Sequence, residues 1–151
     1  MKYLLIFLIL ITTSYSQNYT YLVDKYTKET ELEAKIITKI AKDILHNKEI
    51  KLYIPNMKPM DKEIYSRDIN VVDSCEKANF VFIKSNSKID CPNGTKVYFF
   101  TNNYRKLIKN KNYIGAFFWS KSRPNIVFVE DRLSKNNINL PKEYEQFVED
   151  F

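Results

Sequence analysis

Residues 113–131, YIGAFFWSKSRPNIVFVED, constrain what this chain can fold into more than any other stretch. Two runs of aromatic and β-branched residues, 113–119 and 125–129, flank a five-residue connection, 120–124, which predicts a β-hairpin. Neither arm alternates cleanly between apolar and polar. Ala116, Phe117, Phe118 and Trp119, like residues 126–129, therefore need cover on both sheet faces. The hairpin is expected as interior sheet with a basic tip carrying Lys121 and Arg123.

The rest of the chain supplies that cover. Leu32, Ile36, Ile37, Ile40, Ala41, Ile44 and Leu45 recur at helical spacing, with Lys35, Lys39, Lys42 and Asp43 on the other side; Thr30 and Glu33 imitate a capping box. A helix with a broad apolar stripe is predicted there, after a lead-in over residues 17–30. His46, the single histidine, closes it, where a cation suits the helix dipole. Strands are expected over 48–54, 69–72, 79–84 and 96–100, a short helix within 57–66, and one helical turn over 73–78 capped by Asp73 or Ser74. A polar loop over 85–94 holds the Asn93-Gly94 turn signal. Thr101, Asn102 and Asn103 are capping residues for a basic helix over 104–109. Residues 132–140 read as polar and irregular, and Pro141 opens a closing helix with Tyr144, Phe147 and Val148 on its buried side. The fold class is α/β, or α+β: one mixed β-sheet of five to six strands with helices packed on it, in a single globular domain over residues 31–151.

Residues 1–16 open with Lys2, continue through the apolar run 4–11 and end in Ser14-Tyr15-Ser16, small residues standing at positions −3 and −1 for cleavage before Gln17. The sequence predicts a cleaved secretory signal peptide and a periplasmic or secreted product; eight apolar residues are too few to span a bilayer that needs about 20. An uncleaved anchor is the alternative. Removing the signal and its one lysine leaves 135 residues with 23 bases and 18 acids. In an oxidising compartment the two cysteines, Cys75 and Cys91, are expected to form one disulfide, structural or, alternatively, redox-active.

The chemistry classes narrow quickly. One histidine at a helix end makes a poor base for a Ser-His or Cys-His nucleophile, and two glycines do not suffice for phosphate-cradling loops. No catalytic residues, metal ligands or cofactors are assigned. The stronger signal is charge: between Asp90 and Glu130 lie Lys96, Arg105, Lys106, Lys109, Lys111, Lys121 and Arg123, with no acid among them. Two binding surfaces follow. Trp119, Lys121 and Arg123 form a candidate partner-docking surface, because Trp and Arg dominate interface hot spots, with Trp119 as core the alternative. Thr101, Asn102, Asn103, Arg105 and Lys106 form a candidate small-anion site at a helix start, against the alternative that these bases serve solubility. Nucleic acid is not expected, since the aromatics interleaved with the bases sit in strands that need burial.

The succession of an amphipathic helix, KLYI, ANFVFI, VYFFT, IGAFFW, a turn, NIVFVEDRL and a C-terminal helix resembles the YfiR-like periplasmic regulators. The resemblance implies a compact α/β domain that restrains a membrane-bound diguanylate cyclase through that enzyme's periplasmic part. The chain departs from the family at Ile114-Gly115-Ala116, where a Gly-Gly pair is common, and can form one disulfide where two are frequent. It also resembles one lobe of a periplasmic solute-binding protein. The sequence thus predicts an exported, non-catalytic binding or regulatory module for a protein partner, with a small-anion sensor or carrier as the alternative.

Overall fold

The computed structural model describes residues 2–46, 48–84, 87, 91 and 96–151. Helix α1 spans Lys2–Leu45, and the chain continues through β1 (Lys51–Tyr53), α2 (Pro59–Tyr65), β2 (Asn70–Val71), a 3-10 turn (Cys75–Lys77), β3 (Phe80–Ile83), β4 (Tyr98–Thr101) and α3 (Tyr104–Lys109). Strands β5 (Tyr113–Ser120) and β6 (Arg123–Val129), α4 (Glu130–Lys135), a second 3-10 segment (Lys142–Phe147) and β7 (Val148–Glu149) complete it. Among the described residues the strands form one mixed sheet of seven in the order β2-β1-β3-β4-β5-β6-β7. β2 to β5 run parallel to one another, β6 is antiparallel to β5, and β7 is parallel to β6. The fold is the expected α/β class, with one or two more strands than the sequence indicates.

Parallel strands need apolar cover on both faces. On one face Phe80, Phe82, Phe100, Phe117 and Phe128 pack under Ala34, Ile37, Ile40, Ala41 and Ile44 of α1, together with Ile64 and Tyr65 of α2 and Leu133 of α4. On the other, Val81, Ile83, Ala116, Val127 and Val129 pack with Leu107 of α3 and Cys75. Cys75 and Cys91 are disulfide-bonded with 5.4 Å between their Cα atoms, so the 3-10 turn is tied to the segment before β4. Closing a loop of this separation restricts the unfolded chain by about 3 kcal/mol.

Several local expectations change. The first helix does not begin at Thr30 but runs unbroken from Lys2, because residues 17–30 contain neither Gly nor Pro and pair Asp24 with Lys28 at 2.7 Å, one turn apart. Thr30 and Glu33 are thus mid-helix residues on the buried stripe, and Leu32 is exposed. Among the described residues, no helix is long and apolar enough to cross a membrane. The hairpin loop is two residues, Lys121 and Ser122, both at positive φ (49° and 60°), with Ser120 paired to Arg123 and Trp119 to Pro124. Two left-handed residues give the type I′ turn, whose twist matches the strands. The Asn93-Gly94 turn lies outside the described residues.

The helix α4 takes in residues 130–135, so residues 132–135 of the segment expected to be irregular are helical. Glu130 and Asp131 sit in the first turn, and Asn137 (φ 53°) ends the helix in a Schellman arrangement, with Ile138 N–H donating to the Leu133 carbonyl at 2.9 Å and Asn137 N–H to Ser134 at 3.0 Å. The segment after Pro141 is 3-10, and Val148 leaves it to pair with Phe128 as a strand. Gly115 is forced by packing. β5 bulges at Ile114, which opposes no residue of β4, and a Cβ on Gly115 would collide with the Phe100 ring and lie 2.6 Å from the Val127 carbonyl oxygen.

One buried charge joins these pieces. Arg132 Nη1 donates to the carbonyls of Leu107 (2.7 Å), Asn110 (3.1 Å) and Tyr113 (2.8 Å), clamping the C-terminal end of α3 and the start of β5 to α4; burial holds its pKa below the usual arginine value. Arg132→Met keeps the bulk and removes the donor from all three carbonyls. It is expected to lose about 3 kcal/mol of stability, read as a lower urea midpoint at unchanged slope.

Candidate functional site

The strand order places β2 and β3 on opposite sides of β1, so the chain direction across the sheet reverses between β1 and β3. In open α/β sheets the crevice outside the carboxyl ends of the strands at such a point is where ligands sit. Here that crevice is a cleft of about 360 Å³. Its floor comes from the residues that leave the strands: Ile54-Pro55-Asn56 after β1, Lys84 after β3 and Asn102 after β4. Tyr26, Thr30 and Glu33 of α1 form one wall, Lys58 and Asp61 another, and Trp119 of β5 closes the far end.

A charged group is buried inside it. Glu33 is 8% exposed and Asp61 4%. Lys84 Nζ stands between them, 2.6 Å from Glu33 Oε1 and 3.5 Å from Asp61 Oδ2. Tyr65 O–H donates to Glu33 Oε1 and Tyr26 O–H to Asp61 Oδ1, each at 2.8 Å. Lys84 also lies over the Tyr65 ring, 5.7 Å from its centre. Burial, reinforced by the Glu33 charge, pushes the Tyr65 hydroxyl well above its ordinary pKa; burial and the Asp61 hydrogen bond raise that of Tyr26. Both phenols are therefore donors at neutral pH.

Trp119, Lys121 and Arg123 share the hairpin but not one face. β4 ends opposite Ala116 and β7 begins opposite Phe128, so from Phe117 to Ile126 the hairpin is a two-stranded arm with no third strand beside it among the described residues. Trp119 turns to the α1 side, where it meets Phe117 edge-on at 5.8 Å, packs against the core margin and lines the cleft. Arg123, opposite Ser120, lies on the α3 side with Phe118, whose ring meets Tyr104 at 5.6 Å. Lys121 occupies the turn.

The residues at the start of α3 also part company. Thr101 Oγ1 is buried and donates to the Ile83 carbonyl at 3.1 Å while accepting from Asn103 N–H at 3.2 Å. Asn103 caps α3 by accepting from Lys106 N–H at 3.1 Å. Asn102 turns to the cleft, and its Oδ1 is buried with no hydrogen-bond partner among the described residues. What this end of α3 still offers an anion is the charge of Arg105 and Lys106. Lys96, Arg105, Lys106, Lys109, Lys111, Lys121 and Arg123 have no carboxylate within 4 Å among the described residues, whereas Lys25 has one and Lys39, Lys84 and Arg67 each have two. An acid from elsewhere does reach the edge of this region: Glu149 accepts from Tyr104 O–H at 3.2 Å.

Sequence reasoning missed Tyr26, Glu33, Asp61 and Lys84. The signal was faint but present. Glu33 precedes Ile37 by one helical turn on the buried stripe, and Lys84 and Asn102 both stand immediately past parallel strands.

Fold and cleft together define an open α/β domain with a crevice at its strand switch point. No protein-family model and no curated protein matches the chain. A solved structure, the crystal structure of the conserved domain protein from Vibrio cholerae O1 biovar eltor str. N16961, is similar with a TM-score of 0.54 at 12% sequence identity. The match covers 80% of this chain and 59% of that one, so the likeness is one of fold and spans less than two thirds of the Vibrio chain.

Two outcomes test the buried cluster. Lys84→Met leaves two buried carboxylates without their cation and is expected to cost about 3 kcal/mol in denaturant titration, with part regained in Lys84→Met/Glu33→Gln. In alkali, Tyr65 keeps its proton in the folded chain above the pH, about 10, at which the unfolded chain loses it. The stability this contributes is complete below pH 10 and is lost as pH rises beyond it. Tyr65→Phe should therefore lose stability above pH 10 less steeply than wild type, by about 1.4 kcal/mol per pH unit.

Proposed function

We propose that the chain is an exported, periplasmic, non-catalytic regulatory module that docks a partner protein through the arm of β5 and β6 and the neighbouring face of α3. The observation that carries this reading is the arm itself: a hairpin extending past its flanking strands, with Lys121 and Arg123 exposed at the end and no carboxylate beside either among the described residues. A projecting strand pair whose edges are unpaired among the described residues invites association, and Lys, Arg and Pro124 at its end disfavour indiscriminate strand addition, leaving charge to choose the partner. Arg105, Lys106 and Lys109 extend the same positive character along α3. The Cys75–Cys91 disulfide fits an oxidising compartment, and residues 1–16 supply a signal sequence that would deliver the chain there.

The partner this surface suits is an acidic face on the periplasmic part of a membrane signalling protein, of which the diguanylate cyclase restrained by YfiR-like regulators is the type. Opposite charge accelerates encounter with such a face and fixes its orientation.

The test is photo-crosslinking in cells from position 122 of the arm and, as control, from position 134 of α4, followed by binding to the purified partner domain so identified. Lys121→Glu/Arg123→Glu is expected to weaken that binding at least tenfold while leaving the urea midpoint unchanged. Full binding by the double variant removes the arm as the docking surface. Thermal stabilisation by phosphate that Arg105→Ala abolishes, with no partner captured, would favour a small-anion sensor in its place.

A further inference from the structure

The cleft has more acceptors than its own donors satisfy. Inside it two carboxylates share one ammonium, and both close contacts on Glu33 fall on a single oxygen, Oε1, which takes the Lys84 Nζ and the Tyr65 hydroxyl. Glu33 Oε2 has no hydrogen bond among the described residues. Among the described residues, Asp61 Oδ2 has only the 3.5 Å approach of Lys84. Asn102 Oδ1 is buried and has no hydrogen-bond partner among the described residues at the same site, and an amide held this way calls for a hydrogen-bonding group that those residues do not provide. The indole of Trp119 and the ring of Tyr26 add two aromatic surfaces. Tyr26 already carries one cation, Lys58 Nζ, at 5.2 Å from its centre.

We infer that this cleft binds a small organic primary amine, its ammonium group seated among Glu33 Oε2, Asp61 Oδ2 and Asn102 Oδ1 with its carbon chain against Trp119. An ammonium brings three donors and one positive charge, matching three acceptors and a surplus of one negative charge in the lining, where Glu29, Glu33 and Asp61 face Lys58 and Lys84. An aromatic face beside the carbon chain accepts both apolar contact and cation attraction. An anion would meet two buried carboxylates. A divalent metal ion would have to stand beside the Lys84 ammonium, which already occupies the position between those carboxylates. The inference shares Trp119 with the docking arm but does not rest on that arm binding a partner.

Trp119 is the chain's single tryptophan, so its fluorescence reports on this cleft directly. The protein, purified from the cell as the cell processes it, is titrated with cadaverine, with 1-pentanol as uncharged control and sodium chloride at matched ionic strength; phosphate and calcium chloride are separate arms. The expected result is a saturable change in Trp119 emission with cadaverine at millimolar concentration or below, absent with 1-pentanol and sodium chloride. Glu33→Gln should weaken it at least tenfold. Because that substitution touches the buried cluster, Asn102→Ala provides a second reading and should weaken binding several-fold at an unchanged thermal midpoint of the free protein. No saturable response to cadaverine, a response equalled by sodium chloride or 1-pentanol, a stronger one to calcium or phosphate, or full binding by both variants overturns the inference.

Discussion

A parallel sheet leaves no face on which water can be tolerated, and this requirement governs the molecule. The interior strands present apolar residues to both faces, as in Phe80 to Ile83, all four buried, and Tyr113 to Phe117. Each face therefore needs its own cover: α1 with α2 and α4 on one, and α3 with the disulfide-tied 3-10 turn on the other. Parallel connections also return the chain to the same starting edge after every strand, so the carboxyl ends of β1, β3 and β4 gather at the opposite edge. The cleft is a consequence of the sheet's direction before any of its side chains is considered.

Those side chains are expensive ones. Two carboxylates and an ammonium taken from water lose several kcal/mol of hydration each, and a residual imbalance of charge makes the arrangement poorer still as a stabilising device. Apolar residues at positions 33, 61 and 84 would complete the core at no such cost. The tyrosines show how far the fold goes to hold the carboxylates in place: Tyr65 is fully buried, yet directs its hydroxyl across from α2 to Glu33, while Tyr26 reaches from α1 to Asp61. The same polar contacts fasten α1 to α2, so the cluster contributes orientation even where it contributes little net stability.

How much of this was legible depended on whether a residue's neighbours in sequence are also its neighbours in space. The Cys75–Cys91 pair, the apolar strand cores, the α3 cap at Asn103 and the stripe from Ile36 to Leu45 all follow from local pattern and from the compartment the sequence leads one to expect. The helix at 130–135 was hidden because EDRLSK presents one apolar residue, Leu133, and its buried Arg132 finds its acceptors 19 to 25 positions away. A Lys-Ser type I′ turn carries none of the Asn-Gly chemistry that marks such turns, and β7 is two residues whose pairing exists only because Phe128 is there to receive it. Glu33 was misread for a physical reason: Thr-x-x-Glu has the same spacing whether it starts a helix or faces a cleft from the middle of one.

Trp119 is where the two regions of the molecule meet. The bulge at Ile114 resets the alternation of β5, so that Phe117 and Trp119 fall on the α1 side and Phe118 on the α3 side. Without that extra residue the indole would lie with Tyr104 and the cleft would lose its end wall. Trp119 is two residues from Lys121, on an arm held among the described residues by its own strand pairing and by ring contacts such as Phe118 with Tyr104 and Trp119 with Phe117. A ligand that prefers one position of the indole must, by linkage, prefer one position of the arm, and a partner that holds the arm must change the affinity of the cleft by the same factor. The size of that coupling is set by the difference in free energy between arm positions in each bound state, and it vanishes if the arm is rigid. Phe117, wholly buried at the arm's root, limits such movement to the segment beyond it.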